Sequence, residues 1–438
     1  MKTIIKKAAL AAAIISAPLA ASATDLVGGG ASLPALAYIG DGFTTTNPES
    51  RLSTDELRTG LFAGFDPTFT PYQQVGVTSG SIFAAFQSAN PSHTASYCQT
   101  GSGTGKRVLV GVSGFSADGD CRDYSASPVG FSAPAGQSRP DFIGSDAPLT
   151  ADNVDDFVNG PNTAGDGIFQ MPALGALIAL PVNLIGSSRP DLSNQQVCEI
   201  FSGISQTWND VDSSLPTQPI HVIVRQDTSG TVFAFTQYLA ATCNGNFGLA
   251  SNFFKTSESF TAAISPANPA SLYANYSEES GNAGVVAGVG ANSWSIGFAN
   301  LANVLDAGQD YADVNSTDPA TVTSVNYGTG DLLADTVLGD VDPNTGLPQT
   351  QPVSDIPVSN PNTPDGCVNV IDPAAQLNQG YPIAAVTNLL GYTANNADPQ
   401  ALRALAREVV NGSGSLPTGY VRLGTANAMD QLAGTCIN

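Results

Sequence analysis

The chain has 438 residues, of which only 12% are charged, and 37 acidic against 15 basic side chains give it a formal net charge of −22. That balance excludes nucleic acids and anionic membranes as partners held by bulk attraction, so a bound anion would need a local cluster of donors. The length accommodates two or three domains with cores of ordinary size. Residues 1–23 carry Lys2, Lys6 and Lys7, then an apolar run, then Ala21-Ser22-Ala23. This is the pattern of a secretory signal cleaved after Ala23, with too short an apolar run to span a bilayer. The mature chain is expected outside the cytoplasm, periplasmic or secreted. Six cysteines, Cys98, Cys121, Cys198, Cys243, Cys367 and Cys436, then read as three disulfides. None forms a C-x-x-C pair and only His93 and His221 could join them, so no metal is expected.

Several turns repeat one design, a strand followed by a polar turn and a helix start. Asp25-Leu26-Val27 leads through Gly28-Gly29-Gly30 into Ala31-Ser32-Leu33-Pro34, with proline in the first turn of the helix. The Ser32 hydroxyl and the Leu33 N–H would point out of that helix end. Val75-Gly76-Val77-Thr78-Ser79-Gly80-Ser81 repeats the pattern with Thr78 and Ser79. The stretch from Gly101 to Lys106 and Arg107 is similar to a phosphate loop. Thr100 stands where the first glycine belongs, and Arg107 where Ser or Thr must follow the lysine, so a flexible loop is expected. Ile143-Gly144-Ser145-Asp146-Ala147-Pro148-Leu149 carries a carboxylate in place of another donor. Asp146 reads equally as the cap of a helix near 151–157.

Residues 171–182 suit a buried strand, and Ser193 to Gln196 resembles a capping box. Pro219 to Val224 reads as another strand, followed by Arg225-Gln226-Asp227-Thr228-Ser229-Gly230-Thr231 and a helix starting at Ser229. Unpartnered N–H groups and a positive dipole end make such a terminus an anion site. Ser229 and Thr231 add hydroxyls, Arg225 a fork of donors, and Asp227 a carboxylate to hold the guanidinium. The same heptapeptide also reads as an ordinary N-cap with a surface ion pair. Residues 294–299 form a further predicted strand, 306–364 read as hairpins and loops, and 401–410 as an amphipathic helix. Asp340 to Gly346 has calcium-like oxygen spacing, but its glycine is one position late and Gln351 replaces the bidentate Glu, so a turn is expected.

The ordered set of these markers resembles the phosphate-binding proteins of bacterial phosphate ABC transporters, and in particular their DING-type branch. Gly28 to Pro34 is similar to that family's N-terminal motif, Ser145 to Leu149 to its Ser-Asp-Ala-Pro-Leu turn, and Arg225 to Thr231 to its Arg-x-x-x-Ser-Gly-Thr segment. Cys198 to Gly203, Ser280-Gly281-Asn282 and Gly380 to Ile383 are lesser matches. The sequence departs where Asp25-Leu26-Val27-Gly28 replaces Asp-Ile-Asn-Gly and where Ser32 replaces threonine. The resemblance implies an α/β, two-lobed periplasmic-binding-protein fold of type II kind. Lobe I would be 24–178 plus 382–438, with a disulfide-closed excursion over about 88–140, and lobe II 179–381. It pairs Cys198 with Cys243, lets Cys98–Cys121 close the excursion and leaves Cys367–Cys436.

The implied ligand is inorganic phosphate, held between the lobes by Ser32, Leu33, Thr78, Ser79, Asp146, Arg225, Ser229, Gly230 and Thr231, with Asp227 in support. The implied partner is an ABC permease, the implied state a monomer, and no cofactor is needed. An ionised Asp146 can only accept hydrogen bonds, so it selects an anion that still carries a proton and repels one that does not. Two alternatives stay open: a secreted phosphatase, and an extracellular adhesive or matrix protein on the same scaffold. Against the first, the sequence holds no G-x-S-x-G, and His221 falls inside a predicted strand.

Overall fold

The fold is built on one strand. Residues 168–183 are apolar enough to be buried on both faces, the pattern of a central strand, and they form a single 16-residue strand with all but its last residue buried. The computed structural model describes residues 24–40, 51–53, 80–121, 127–163, 166–186, 189–264, 268–325, 327–356, 362–376 and 380–438. The predicted signal segment lies outside the described residues, as do Thr78 and Ser79.

In chain order the strands that frame the site are β1 (Thr24–Gly30), β2 (His93–Gln99), β3 (Phe142–Ser145), β4 (Ile168–Asn183), β5 (His221–Arg225), β6 (Asn275–Glu279) and β7 (Ser295–Gly297). A hairpin, β8 (Thr336–Val341) with β9 (Pro348–Pro352), and β10 (Ala384–Tyr392) complete the set. Apart from the hairpin they belong to one sheet, in the order β2-β1-β3-β10-β4-β7-β5-β6. β2, β1 and β3 run parallel, as do β7, β5 and β6. Antiparallel β10 and β4 join these two blocks. The first part of β4 pairs with β10, from Ile168 opposite Tyr392 to Leu177 opposite Ala384, and its last residues pair with β7. One strand therefore serves two parallel α/β halves, and the site lies off the C-terminal ends of those parallel strands.

Four helices start there: α1 (Ala35–Ile39), α2 (Ser102–Val110), α3 (Gly230–Cys243) and α4 (Gly281–Ala291). Helix α3 is almost wholly buried, with Val232, Phe235, Tyr238 and Leu239 all inaccessible and its other faces covered too. Phe235 stacks on Phe298 at 4.2 Å between ring centroids and meets Phe201 edge-on at 4.7 Å. The six cysteines form Cys98–Cys121, Cys198–Cys243 and Cys367–Cys436.

Two expectations are corrected here. The Gly101–Arg107 stretch, read as a flexible loop, opens helix α2. Its glycines are there for close packing rather than for freedom: a Cβ on Gly103 would lie 2.5 Å from Thr228 Oγ1. Much of 88–140 is likewise built into the sheet, since β2 pairs with β1 along all seven residues. Asp340 to Gly346 forms the tip of the β8–β9 hairpin, with the Asn344 N–H bonded to Asp342 Oδ1.

Candidate functional site

Arg225 ends β5 with its side chain fully buried, so its charge needs partners. Nε donates to Asp227 Oδ1 at 2.7 Å and Nη2 to Asp227 Oδ2, a fork-to-fork pair. Nη1 donates to Asn282 Oδ1 at 3.3 Å. Asp227 Oδ1 also accepts the first N–H of α4, from Gly281 at 3.0 Å. Asn282 in turn donates to Ser32 Oγ at 3.2 Å, so the β1–α1 turn and the Arg225 turn meet through one amide.

Asp146, at the end of β3, lies on the opposite side of the same seam. A Cβ on Gly230 would fall 2.3 Å from the Asp146 Cβ, so only glycine lets the start of α3 come this close. The backbone N–H groups of Asp146 and Gly230 both donate to Ser102 Oγ, each at 3.1 Å. Ser229 caps its own helix by accepting from the N–H of Thr231 at 3.1 Å and of Val232 at 3.4 Å. Asp146 Oδ1, Thr231 Oγ1 and Thr387 Oγ1 are buried without a hydrogen-bond partner. Burial pushes the Asp146 carboxyl up to about 7, against the pull of Arg225, the nearby Thr387 hydroxyl and Lys106; Glu258 adds to the rise.

The structure thus gathers Ser32, Asp146, Arg225, Asp227, Ser229, Gly230 and Thr231 at one seam. Leu33 adjoins it with its side chain in the core and its carbonyl accepting from the Tyr420 hydroxyl. Asp146 does not cap the helix Ala151–Asn159. Thr150 does that, in a reciprocal pair with Asn153. Sequence reading missed Ser102, Lys106 and Glu258, and held Asn282 and Thr387 only within lesser family matches, without a role at the site. Ser102 had a signal, since its turn follows a strand and opens a helix as the Arg225 turn does; comparison with a phosphate loop hid it.

Residues 74–397 match the family model described as a PBP superfamily domain. The chain belongs to the PBP superfamily. Among solved PBP structures, it is similar to a high-affinity periplasmic phosphate-binding protein (PfluDING) bound with phosphate, with a TM-score of 0.54 at 21% identity over 94% of this chain and 92% of that one. A phosphate-binding protein from Stenotrophomonas maltophilia gives 0.53 at 20% identity, covering 94% and 91%. These likenesses establish the two-lobed fold. Alkaline phosphatase L of Pseudomonas aeruginosa strain PAO1 is 26% identical over 53% of this chain and 53% of its own length. Phosphate-binding protein PstS 3 of Mycobacterium leprae is 29% identical over 37% of this chain and 38% of its own. The chain thus spans about half or less of the length of these curated relatives.

The raised carboxyl in this PBP chain has a consequence for stability. Its folded value near 7 lies above the ordinary carboxylate range, so between about pH 4 and pH 7 the folded chain keeps a proton that the unfolded chain has lost. That contribution is complete below the unfolded value and is lost as pH rises through the folded one. In phosphate-free buffer the chain should melt at a lower temperature at about pH 8 than at about pH 5, and Asp146→Asn should flatten the difference. A slope unchanged by the substitution would assign the pH dependence to other groups.

Proposed function

We propose that this chain is an exported, high-affinity binding protein for inorganic phosphate, delivering it to an ABC-type permease or scavenging it. The observation that carries this reading is Asp146, a buried carboxyl with an unpartnered oxygen in the field of Arg225 among donor-rich helix starts. Ionised, such a group accepts the proton of mono- or dibasic phosphate and repels a bare oxyanion. The names of the mycobacterial relative and of the phosphate-bound structural neighbour support the same class of ligand. Under this proposal Ser32, Leu33, Asp146, Arg225, Ser229, Gly230 and Thr231 hold the anion. The lobes are 24–178 with 382–438, and 179–381, the protein is a periplasmic or secreted monomer, and Ala23 is the last residue of its signal. Thr78 and Ser79 remain candidates from the sequence alone.

The name of the Pseudomonas relatives brings in a second reading, phosphate-ester hydrolysis. His221 does not serve it, because its Nε2 bonds Ser277 Oγ at 3.0 Å at the far end of β5 from Arg225. Asp146, held near 7, is the group that would have to move a proton. Calorimetry of the purified chain should give one phosphate per monomer with a dissociation constant at or below about 1 μM. A chromogenic phosphate monoester should show no turnover that Asp146→Asn abolishes. Absence of phosphate binding sinks the proposal, and Asp146-dependent turnover replaces it with the enzyme.

A further inference from the structure

Two short segments flank the seam. On the Asp146 side runs 147–150, and on the Arg225 side runs 254–258, whose Glu258 carbonyl accepts the Ser229 N–H at 2.8 Å. Two separate connections span from one to the other. The first is Lys106 of α2. Its side chain is 4% exposed, and Nζ donates to the Pro148 carbonyl at 3.3 Å and to Glu258 Oε2 at 2.8 Å. The second is the β8–β9 hairpin. At its foot the Leu338 N–H donates to the Leu149 carbonyl at 2.9 Å, in register as a β-bridge with Thr150. At its tip the Gly346 carbonyl accepts from the Thr256 N–H at 2.8 Å and from Thr256 Oγ1 at 3.0 Å, while Asn244 Nδ2 donates to the Thr345 carbonyl at 2.9 Å.

At the foot, Leu338 also belongs to one buried apolar cluster with Ala147, next to Asp146, and Phe233, in the first turn of α3. One apolar cluster therefore draws on both sides of the seam. Beside the return strand lies a cavity of about 690 Å³, lined by Leu347 to Thr350, Gln237 and Asp372 to Ala374. The tip contact is tight, since Gly346 has φ +74° and a Cβ there would lie 2.1 Å from the Phe254 carbonyl oxygen.

We propose that the β8–β9 hairpin and Lys106 form a double clasp that holds the two halves shut over the Asp146–Arg225 seam and sets the rate of anion exchange. Beyond the Ser102 and Asn282–Ser32 contacts of the seam itself, separation of the halves requires the Lys106–Glu258 pair to break and either the foot or the tip of the hairpin to let go. Each connection is anchored one to four residues from Asp146 on one side and within the same five-residue loop on the other. The two act in parallel, so release of one leaves the other holding.

Hydrogen exchange in the phosphate-free protein tests the clasp itself. Its readout is the amides of Asp146 and Gly230, which the closed seam protects through Ser102. Gly346→Val, which cannot seat the tip, and Lys106→Met with Glu258→Gln, which removes the ion pair without stranding a charge, should each speed exchange at both amides by about tenfold or more. The two combined should speed it further, while the amides of β4 keep their protection. Unchanged exchange at Asp146 and Gly230 in both variants, with β4 still protected, overturns the clasp. If Gly346→Val exposes β4, Asn244→Ala, which trims only one tip contact, decides by the same readout. The kinetic consequence rests on the phosphate reading: stopped-flow dissociation of phosphate should accelerate by the same factor as the exchange. A wild type that binds no phosphate refutes that reading and leaves the exchange result to judge the clasp.

Discussion

Cutting Arg225 back to alanine is expected to leave the chain folded and to cost about 2–5 kcal/mol of phosphate affinity, the range for a buried, hydrogen-bonded charge contact that loses one partner. The size follows from how the guanidinium is held. Asp227 takes Nε and Nη2, and Asn282 takes Nη1, so the fork is oriented before any ligand arrives and little freedom is lost on binding. Asp227 keeps the Gly281 N–H after the truncation and is partly exposed, which limits the cost to the fold. Arg225→Lys should fall between the two, because a point charge cannot serve both Asp227 oxygens and a ligand at once. Calorimetry against phosphate, with thermal melts run beside it, separates the loss of binding from any loss of fold. Affinity within a factor of two of the wild type would place the anion site elsewhere.

The second large effect concerns selectivity. Asp146→Asn should retain phosphate binding, because the amide oxygen can still accept the ligand proton. It should admit sulfate, because the amide can turn and donate to a bare oxygen. The phosphate-to-sulfate preference is therefore expected to shrink by roughly 10–1000-fold, the range of one desolvated charge contact. The structure sharpens this expectation in two ways. Thr150, not Asp146, caps the following helix, so the substitution removes no cap. The Asp146 backbone N–H is already bound to Ser102, which fixes the turn independently of its side chain. Titration of both anions into both proteins decides it, and an unchanged preference would move selectivity to other groups of the seam.

Much of this site can be read from the sequence because strand–turn–helix patterns are local. The β5–α3 junction, the capping box at Ser193 and the buried run of β4 are each specified by residues a few positions apart, and the structure has all three. Helix α2 was not legible for the opposite reason. Glycine is a poor helix former, so Gly101, Gly103 and Gly105 argue locally for a loop, while the contact that demands Gly103 comes from Thr228, far along the chain. Tertiary packing overrode propensity, and Ser102 was lost with the helix. The Lys106–Glu258 pair is 152 residues apart, and no spacing rule reaches that far. Asp146 shows a third kind of limit. Cap and ligand readings fit the same turn, and it takes the position of Thr150 in the structure to remove the first.

The place of β10 in the sheet bears on the order in which the chain can assemble. β10 comes last of the framing strands in sequence yet sits between β3 and β4, with antiparallel partners on both edges. Until it arrives, β3 and β4 each present an unpaired edge, and neither half has its inner boundary. A chain emerging from its N-terminus can nucleate helices and the β1–β2 ladder, but its middle stays open until residue 392 is in place. The Cys367–Cys436 bond then ties the segment just before β10 to the C-terminal helix Ala426–Cys436, sealing the last piece to arrive. Such a layout keeps the polypeptide threadable for nearly its whole length, a property the proposed export would draw on.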